Sequence, residues 1–562
     1  MILSEDFNVK NVNFKLKKIS IPLRLDSLNN GINNFENFII YVDSVSGIMK
    51  IYDRICDHNG ARLISRHNQI VCPLHNWQFN PITGEYVNIG KKKKPLYSGK
   101  VKKKLNLNIY TNLREINEKF NSNPEIKIRW INHACLIFQV ENFKLATDPW
   151  LIGPAFSNGW WLKHKSPTDC FEQINSCNLL FISHNHPDHL HPETLSKINK
   201  NINIITPNFK SNSTFKFLRD LGFNNITTLN FDKKICKKNS ELEISLLKSG
   251  DFREDSGILI QAGKFKFMAT VDSNFIDFYR FPDKIDVLAS SFAGGATGFP
   301  LCFEDYTEKE KKIILERNKK TIIFTNEKVI GLSKTKYFIP YAGFFKEDAA
   351  RDSYIKENNL KNNINDYSKV CKKFDTQLLN VEEYDTYIFK GNTLLKKEKN
   401  NILKIKEKSN NWYIKEIKNL YNKTSKKEIE EYFKKSDFFY NLVLQLELTN
   451  DSFSKIKNCF LINFYKNKTA EIAVYNKKNK LNINRNCNFK KIKVRYHEFL
   501  KVIRQGLPWE DLSIGFQCRI KRKPNVYNSD FWYHFTNIYV NQNVKGRSQN
   551  CAGCTIINQK IF

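Results

Sequence analysis

No stretch of this 562-residue chain reaches the ~18–20 consecutive apolar residues that a membrane-spanning helix needs. The opening residues, MILSEDFNVK, lack the basic-then-apolar order of a signal peptide. A soluble, cytoplasmic protein is therefore expected. Cysteine is sparse: thirteen, an odd number, spread along the whole chain. A disulfide scaffold would be short and cysteine-dense, so these read as mostly reduced thiols with a few ligands among them. There is no internal repeat and no Gly/Ser linker. Acidic residues are the scarcer charge, 57 against 90 Lys and Arg, for a net +33. Such an excess could draw an anionic substrate or an acidic partner. Lys and Asn are abundant everywhere, however, and runs such as Lys91–Lys94 and Lys102–Lys104 read as solvated loop charge, with no nucleic-acid tract. What is present is apolar mass, 41% hydrophobic and 13% aromatic, which excludes a largely disordered chain. At roughly 150 residues per domain, three or four domains are expected.

The first informative segment lies within residues 36–110. Phe38–Val42 and Ile48–Tyr52 flank a Ser-Val-Ser-Gly turn at 44–47, which is a hairpin signal. Two loops then carry Cys56-Asp57-His58 and Cys72-Pro73-Leu74-His75, so each loop brings one thiol and one imidazole. Two thiolates on one iron and two neutral imidazoles on the other make a Rieske-type 2Fe-2S cluster. Its potential, about −150 to +300 mV, exceeds the about −400 mV of all-cysteine plant-type clusters. A Cys₂His₂ zinc site is the rival, but zinc fingers pair C-x₂₋₄-C with H-x₃₋₅-H, and the interleaving here favours the cluster. Gly60 and Asn76-Trp77 add to the resemblance to Rieske domains.

Residues 126–345 alternate strand and helix signals. The apolar run Asn178–Ile182 ends in Ser183-His184-Asn185-His186-Pro187-Asp188-His189, and Pro192 suits the first turn of a following helix. A strand that delivers H-x-H-x-D-H to a loop before a helix can place two histidines on one metal. The Asp and last His then reach a second position ~3.5–4 Å away. Asp272, after the strand Phe265–Thr270, is placed to complete the site. This order resembles the metallo-β-lactamase fold. His133 and Asp148 match positions where a divergent branch of that superfamily keeps polar residues near the pocket. Two ligand histidines of the usual pattern are missing, from Gly250–Arg253 and from Ser291–Ala296, which argues against a full two-zinc hydrolase site. A single iron on His184, His186 and Asp188 or Asp272, with His189 as a further ligand, fits the two-histidine-one-carboxylate pattern of non-haem Fe(II) oxygenases. Zinc, or a vestigial site in which Asp188 and His189 only cap the helix, is the alternative.

A Rieske module followed by a metallo-β-lactamase-like domain resembles the CMP-N-acetylneuraminate hydroxylase family. Further stretches carry the resemblance: Asp148–Phe156 with Gly159–Leu162, Phe292–Pro300, Pro340–Gly343, Trp509–Leu512 with Ile514–Gln517, and Phe531–Phe535. The family implies a Rieske monooxygenase that uses O₂ to convert the N-acetyl methyl group of CMP-N-acetylneuraminate, or of a related nucleotide-activated nonulosonate, to the N-glycolyl form. It implies electrons from a b-type cytochrome with its NAD(P)H-dependent reductase, or from a ferredoxin. Cys56, His58, Cys72 and His75 would carry electrons; His184, His186, Asp188, His189 and Asp272 would carry the oxygen chemistry. The glycine loop Gly294–Gly298, Arg253, Arg519 and Trp160-Trp161 are candidates for substrate contacts, with a tight turn and a core role as the plainer readings of the loop and the tryptophans. A metal-dependent hydrolase with a Rieske redox module is the alternative function.

The expected fold class is multi-domain α+β. An N-terminal all-β Rieske domain would span 1–116, a central αββα metallo-β-lactamase-like sandwich 125–345, and a C-terminal mixed α/β extension 346–562. In that last region Ser425 and Glu428 stand at capping-box spacing, His497–Gln505 reads as a helix, and Cys551-Ala552-Gly553-Cys554 reads as terminal thiols.

Overall fold

The computed structural model describes residues 6–538 apart from 26–27, 36–37, 55–62, 67–68, 72–76, 88–89, 115–116, 118, 210, 250–253, 274–283, 437, 439–440, 466–469, 475–487, 526–528, 537. The four expected cluster ligands, Arg253, and Cys551 with Cys554 lie outside the described residues.

The N-terminal region is all β. Phe38–Asp43 and Ile48–Asp53 form the expected hairpin, with Asp43 opposite Ile48. Asp43 shapes the turn, accepting from the Val45 backbone N–H at 3.0 Å and from Ser46 Oγ at 2.6 Å, as an Asx turn does. Alternate side chains of a strand point to opposite faces. Phe38, Ile40, Val42, Met49 and Ile51 therefore pack one core, while Ile39 and Tyr52 meet Leu63, Ile70, Trp77, Phe79 and Tyr86 of a second, five-stranded sheet. A two-stranded ribbon, Phe14–Arg24 with Lys104–Arg114, leads in and out of this region.

The centre is a four-layer αββα sandwich of two eight-stranded sheets. Its inner strands are near-continuous apolar runs: Leu179–Phe181, Ser256–Ala262 and Val287–Ser291 are buried at every position, as strands covered on both faces must be. Phe138, Phe143, Phe265, Phe267 and Phe338 fill the space between the sheets. Helices Cys170–Asn175, Pro192–Ser196 and Ser213–Asp220 follow strands of one sheet; Glu308–Ser333 and Ser368–Lys373 follow strands of the other. The sandwich does not stop at residue 345. Thr386–Lys390 pairs with Glu125–Arg129 and is itself paired with Thr393–Glu398. At the opposite end of the chain, Phe7–Asn11 pairs with Lys233–Lys237. Both additions cover a sheet edge that would otherwise expose unpaired backbone groups.

The C-terminal region is mixed α/β. Leu442–Thr449, Ile456–Phe464, Glu471–Val474, Phe489–Arg495 and Cys518–Lys523 form one sheet, packed through Phe433, Phe499, Trp509, Phe531 and Phe535. Helix Lys426–Lys435 begins with the expected capping box at Ser425 and Glu428, and the expected helix runs Tyr496–Gln505. This region is joined to the sandwich by the bridge Phe303–Ile520 and by buried ion pairs, Arg351 with Glu498 and Arg495 with Asp352, each at 2.6 Å. Among the described residues no helix is long and apolar enough to cross a membrane.

Candidate metal centre at the edge of the sandwich

Strand ends build the site. Leu179–Phe181 lies parallel to Phe143–Thr147, and both run toward the same edge, where ligands gather in open α/β sheets. Asp148 follows the second strand, with φ +34°. Its Oδ1 accepts from the Ser183 backbone N–H at 2.7 Å, which fixes where the histidine loop begins. Ser256 Oγ holds the Ser183 carbonyl from the facing sheet at 3.1 Å. His133 ends the strand Glu125–Asn132 in a turn with φ +40°; its backbone N–H is held by Asn132 Oδ1 and its carbonyl by the Ala342 N–H. Asp272 and Asp255 come from the ends of Phe265–Ala269 and Ser256–Ala262. The helix started by Pro192 ends at Ser196.

Two groups of metal-ligating side chains result. His184, His186 and Asp272 form one, and His133, Asp188 and His189 the other, with the ligand atoms of each group within 4.8 Å of one another. His184 Nε2 and His186 Nδ1 are 2.9 Å apart. His133 Nε2 and His189 Nε2 approach Asp188 Oδ2 at 3.3 and 3.5 Å, and His189 Nε2 is 3.7 Å from Asp272 Oδ2. His133, Asp188 and His189 are buried, yet neither ring nitrogen of His133 or His189 closes a well-formed hydrogen bond, nor does Asp188 Oδ1. Buried polar atoms are normally satisfied. Imidazole nitrogens and carboxylate oxygens converging without proper hydrogen bonds fit a site shaped for a cation.

The electrostatics agree. Burial alone would lower the His186 imidazolium, but its hydrogen bond to Glu510 and the charges of Glu510, Asp255 and Asp188 outweigh burial and push it up to about 9. His189 is driven the same way against its burial by Asp188 and Asp272. Burial would raise the Asp188 and Asp272 carboxyls, yet the facing histidines hold both below the usual carboxylate range. An excess of carboxylate around histidines is the field that a metal ion neutralises.

All five residues expected at this site, His184, His186, Asp188, His189 and Asp272, are brought together. His133, anticipated only as a polar neighbour, stands among the donors. Asp255 Oδ1 lies 3.9 Å from His184 Nε2, close to where a histidine was missed in the sequence. Glu510, from the C-terminal region, reaches His186 Nε2 at 3.3 Å. Asn-His-Ala and an isolated Glu gave no local signal for either role. The candidates for substrate contacts make contacts within the protein. Trp160 stacks on Phe345 at 3.7 Å, and Trp161 is buried. The Arg519 guanidinium lies over Phe453 and donates to the Cys518 carbonyl. Gly295–Cys302 forms a 3₁₀ helix.

For the cluster ligands the described flanks are informative. The backbone N–H of Leu63 bonds to the Arg54 carbonyl, while Val71 pairs with both Ile64 and Gln78. Arg54, Leu63 and Val71, which flank the two ligand-bearing segments in sequence, are thus held together at one end of the sheet. Arg54 braces that end, donating to the Phe35 and Leu63 carbonyls at 2.6 and 2.9 Å. The donor set, two thiols and two imidazoles, one of each per segment, is the set a Rieske cluster takes.

A family model described as Rieske [2Fe-2S] domain matches residues 28–110, and one described as Beta-lactamase superfamily domain matches residues 127–246. The chain is 27% identical over 561 residues to the cytidine monophosphate-N-acetylneuraminic acid hydroxylase of Macaca mulatta, covering 92% of each. It is 28% identical over 555 residues to the protein of the same name from Danio rerio, covering 91% of each. Among solved structures, CmlA, a diiron beta-hydroxylase from Streptomyces venezuelae, aligns with a TM-score of 0.30 at 14% identity, covering 48% of this chain and 54% of that one, too slight a likeness to bear on function.

Proposed function

We infer that this chain, similar over 92% of its length to proteins named as hydroxylases of cytidine monophosphate-N-acetylneuraminic acid, is an O₂-dependent hydroxylase of that nucleotide sugar or of a related nonulosonate. The carrying observation is the pairing, in one polypeptide, of a Rieske match with a buried histidine–carboxylate cluster at the edge of a lactamase-like sandwich. In the overall reaction one oxygen atom enters the N-acetyl methyl C–H bond. The other leaves as water with two electrons and two protons.

Cys56, His58, Cys72 and His75 would hold the 2Fe-2S cluster. His184, His186 and Asp272 would hold one metal, with iron favoured over zinc, and His133, Asp188 and His189 would offer a second position. When bound, these groups supply single electrons and O₂ activation, which an unactivated methyl group requires. The protein's own side chains do the rest. Asp148 and Ser183 orient the histidine loop through the hydrogen bonds given above. Trp150 packs 5.0 Å from the His133 ring and Phe156 packs 5.8 Å from the His186 ring, so apolar walls exclude water from one side of the donors. The positive charge of the chain, +33, favours the approach of a substrate carrying a phosphate and a carboxylate. A b-type cytochrome with its NAD(P)H-dependent reductase, or a ferredoxin, would deliver electrons in the cytoplasm.

Incubation of the purified protein with CMP-N-acetylneuraminate, ¹⁸O₂ and a reductant tests the reading. A gain of one labelled oxygen on the sugar is expected. His184→Ala should lose both that product and the iron in excess of the cluster, while keeping the cluster's visible absorption. Cleavage of the nucleotide sugar would favour the hydrolase reading instead, and unchanged substrate with a full cluster would overturn the hydroxylase.

A further inference from the structure

We propose that Glu510, carried by the C-terminal region, is the positioning residue that orients His186 for metal binding, so that the metal centre of the sandwich is completed by a part of the chain 324 residues downstream. This rests on reading the cluster as a metal centre.

Each imidazole of the cluster has two nitrogens to place. His184 turns Nε2 toward His186 and gives Nδ1 to Ser183 Oγ at 2.8 Å. His189 turns Nε2 toward Asp188 and Asp272 and faces Asp148 Oδ2 with Nδ1 at 3.2 Å. His186 presents Nδ1 to His184, and its outer Nε2 meets Glu510 Oε2 at 3.3 Å. Each ring thus has one nitrogen in the cluster and the other against an oxygen. A metal-bound histidine ordinarily gives its second N–H to a carboxylate, carbonyl or hydroxyl, which fixes tautomer and orientation. For His184 that partner is local, within the sandwich, and His189 Nδ1 faces a local carboxylate without closing a well-formed hydrogen bond. His186 receives it from outside.

Glu510 is held in place by more than its own contact. Trp509, the residue before it, is fully buried in the C-terminal core. One turn later the Ile514 carbonyl accepts from Trp160 Nε1 at 3.0 Å. Gly515 and Gly159 then cross backbone to backbone. A Cβ on Gly159 would collide with the Gly515 carbonyl, and one on Gly515 with the Phe156 carbonyl, so only glycine permits the approach. Phe156 in turn packs on the His186 ring. The loop that walls His186 and the turn that carries Glu510 are locked together.

The test is a cobalt(II) titration of the full-length protein, carrying its cluster, read by the visible band of histidine-ligated cobalt. Glu510→Ala should weaken cobalt binding about 10–100-fold, the usual cost of losing such a partner, and shift the band. Glu510→Gln, whose amide oxygen still accepts from Nε2–H, should recover most of the affinity. Cluster absorption and far-UV circular dichroism should match the parent in both. Cobalt binding by Glu510→Ala with unchanged affinity and band overturns the role of Glu510. A parent protein that takes up no cobalt overturns the metal centre and this role together.

Discussion

Two buried charge clusters in this molecule are built on opposite plans. One joins the C-terminal region to the sandwich. Arg351 pairs with Glu498 and Asp451, Arg495 with Asp352, and Lys418 with Asp451. Three cations meet three carboxylates, and Arg495 also donates to the Asp451 and Arg351 carbonyls at 2.9 Å. The other cluster lies at the sheet edge, where Asp148, Asp188, Asp255, Asp272 and Glu510 face histidines. The first carries its own counter-ions. The second sets five carboxylates around four histidines. A cluster that neutralises itself is structural, and one that does not is shaped for a cation from solution.

Breaking the self-neutralised cluster should have the largest effect on stability. Glu498 is fully buried and its partner Arg351 nearly so. Glu498→Gln leaves a buried guanidinium short of its charge, and breaking such a pair costs about 3–5 kcal/mol. The urea midpoint should fall accordingly, while cobalt uptake by the folded protein stays at the parent level. A loss below about 1 kcal/mol, the range of exposed pairs, would erase the distinction between the clusters.

The metal-seeking cluster should respond to what is added. At free metal about 100 times the dissociation constant, a ligand that binds only the folded state stabilises it by about 2.7 kcal/mol. Thermal unfolding with and without cobalt(II) should show that increment in the parent and in Glu498→Gln, but not in Asp188→Asn. An equal increment in Asp188→Asn would mean that the metal binds elsewhere.

The same contrast explains what could be read from the sequence. Features encoded over a few residues were legible: the hairpin around Asp43, the capping box at Ser425, the helix Tyr496–Gln505, and the strand that ends in His184, His186, Asp188 and His189. Each depends on local periodicity or on a side chain bonding a backbone group three residues away. His133, Asp255 and Glu510 were not legible as site residues. His133 joins because the turn at φ +40° points back across the sheet edge, and Glu510 because a separate sheet docks through two glycines. The strands Phe7–Asn11 and Thr386–Lys390 likewise join the sandwich by pairings more than two hundred residues apart, and no local pattern announces such a pairing. The cluster ligands are expected from two thiols and two imidazoles at a telling spacing, and lie outside the described residues.

The smallest of the expected effects separates histidines by their surroundings. His186 is pushed up by the acids it faces, whereas His534 is buried against Phe438 with Nδ1 donating to the Ser436 carbonyl at 2.9 Å. Burial pushes its imidazolium down to about 4. An unfolded histidine titrates near ~6.5, so this group's contribution is whole above that pH and is lost as pH falls toward the folded value. Between pH 7 and pH 5 the loss is about 2 kcal/mol. His534→Asn keeps a donor for the carbonyl and removes the titration, so its urea midpoint should fall less steeply over that window. His191, also buried and lowered to about 4, titrates in the same range, so the slope should be reduced and not abolished. An unchanged slope would mean that His534 meets the proton equally well folded and unfolded, and that its burial does not distinguish it from the histidines of the metal centre.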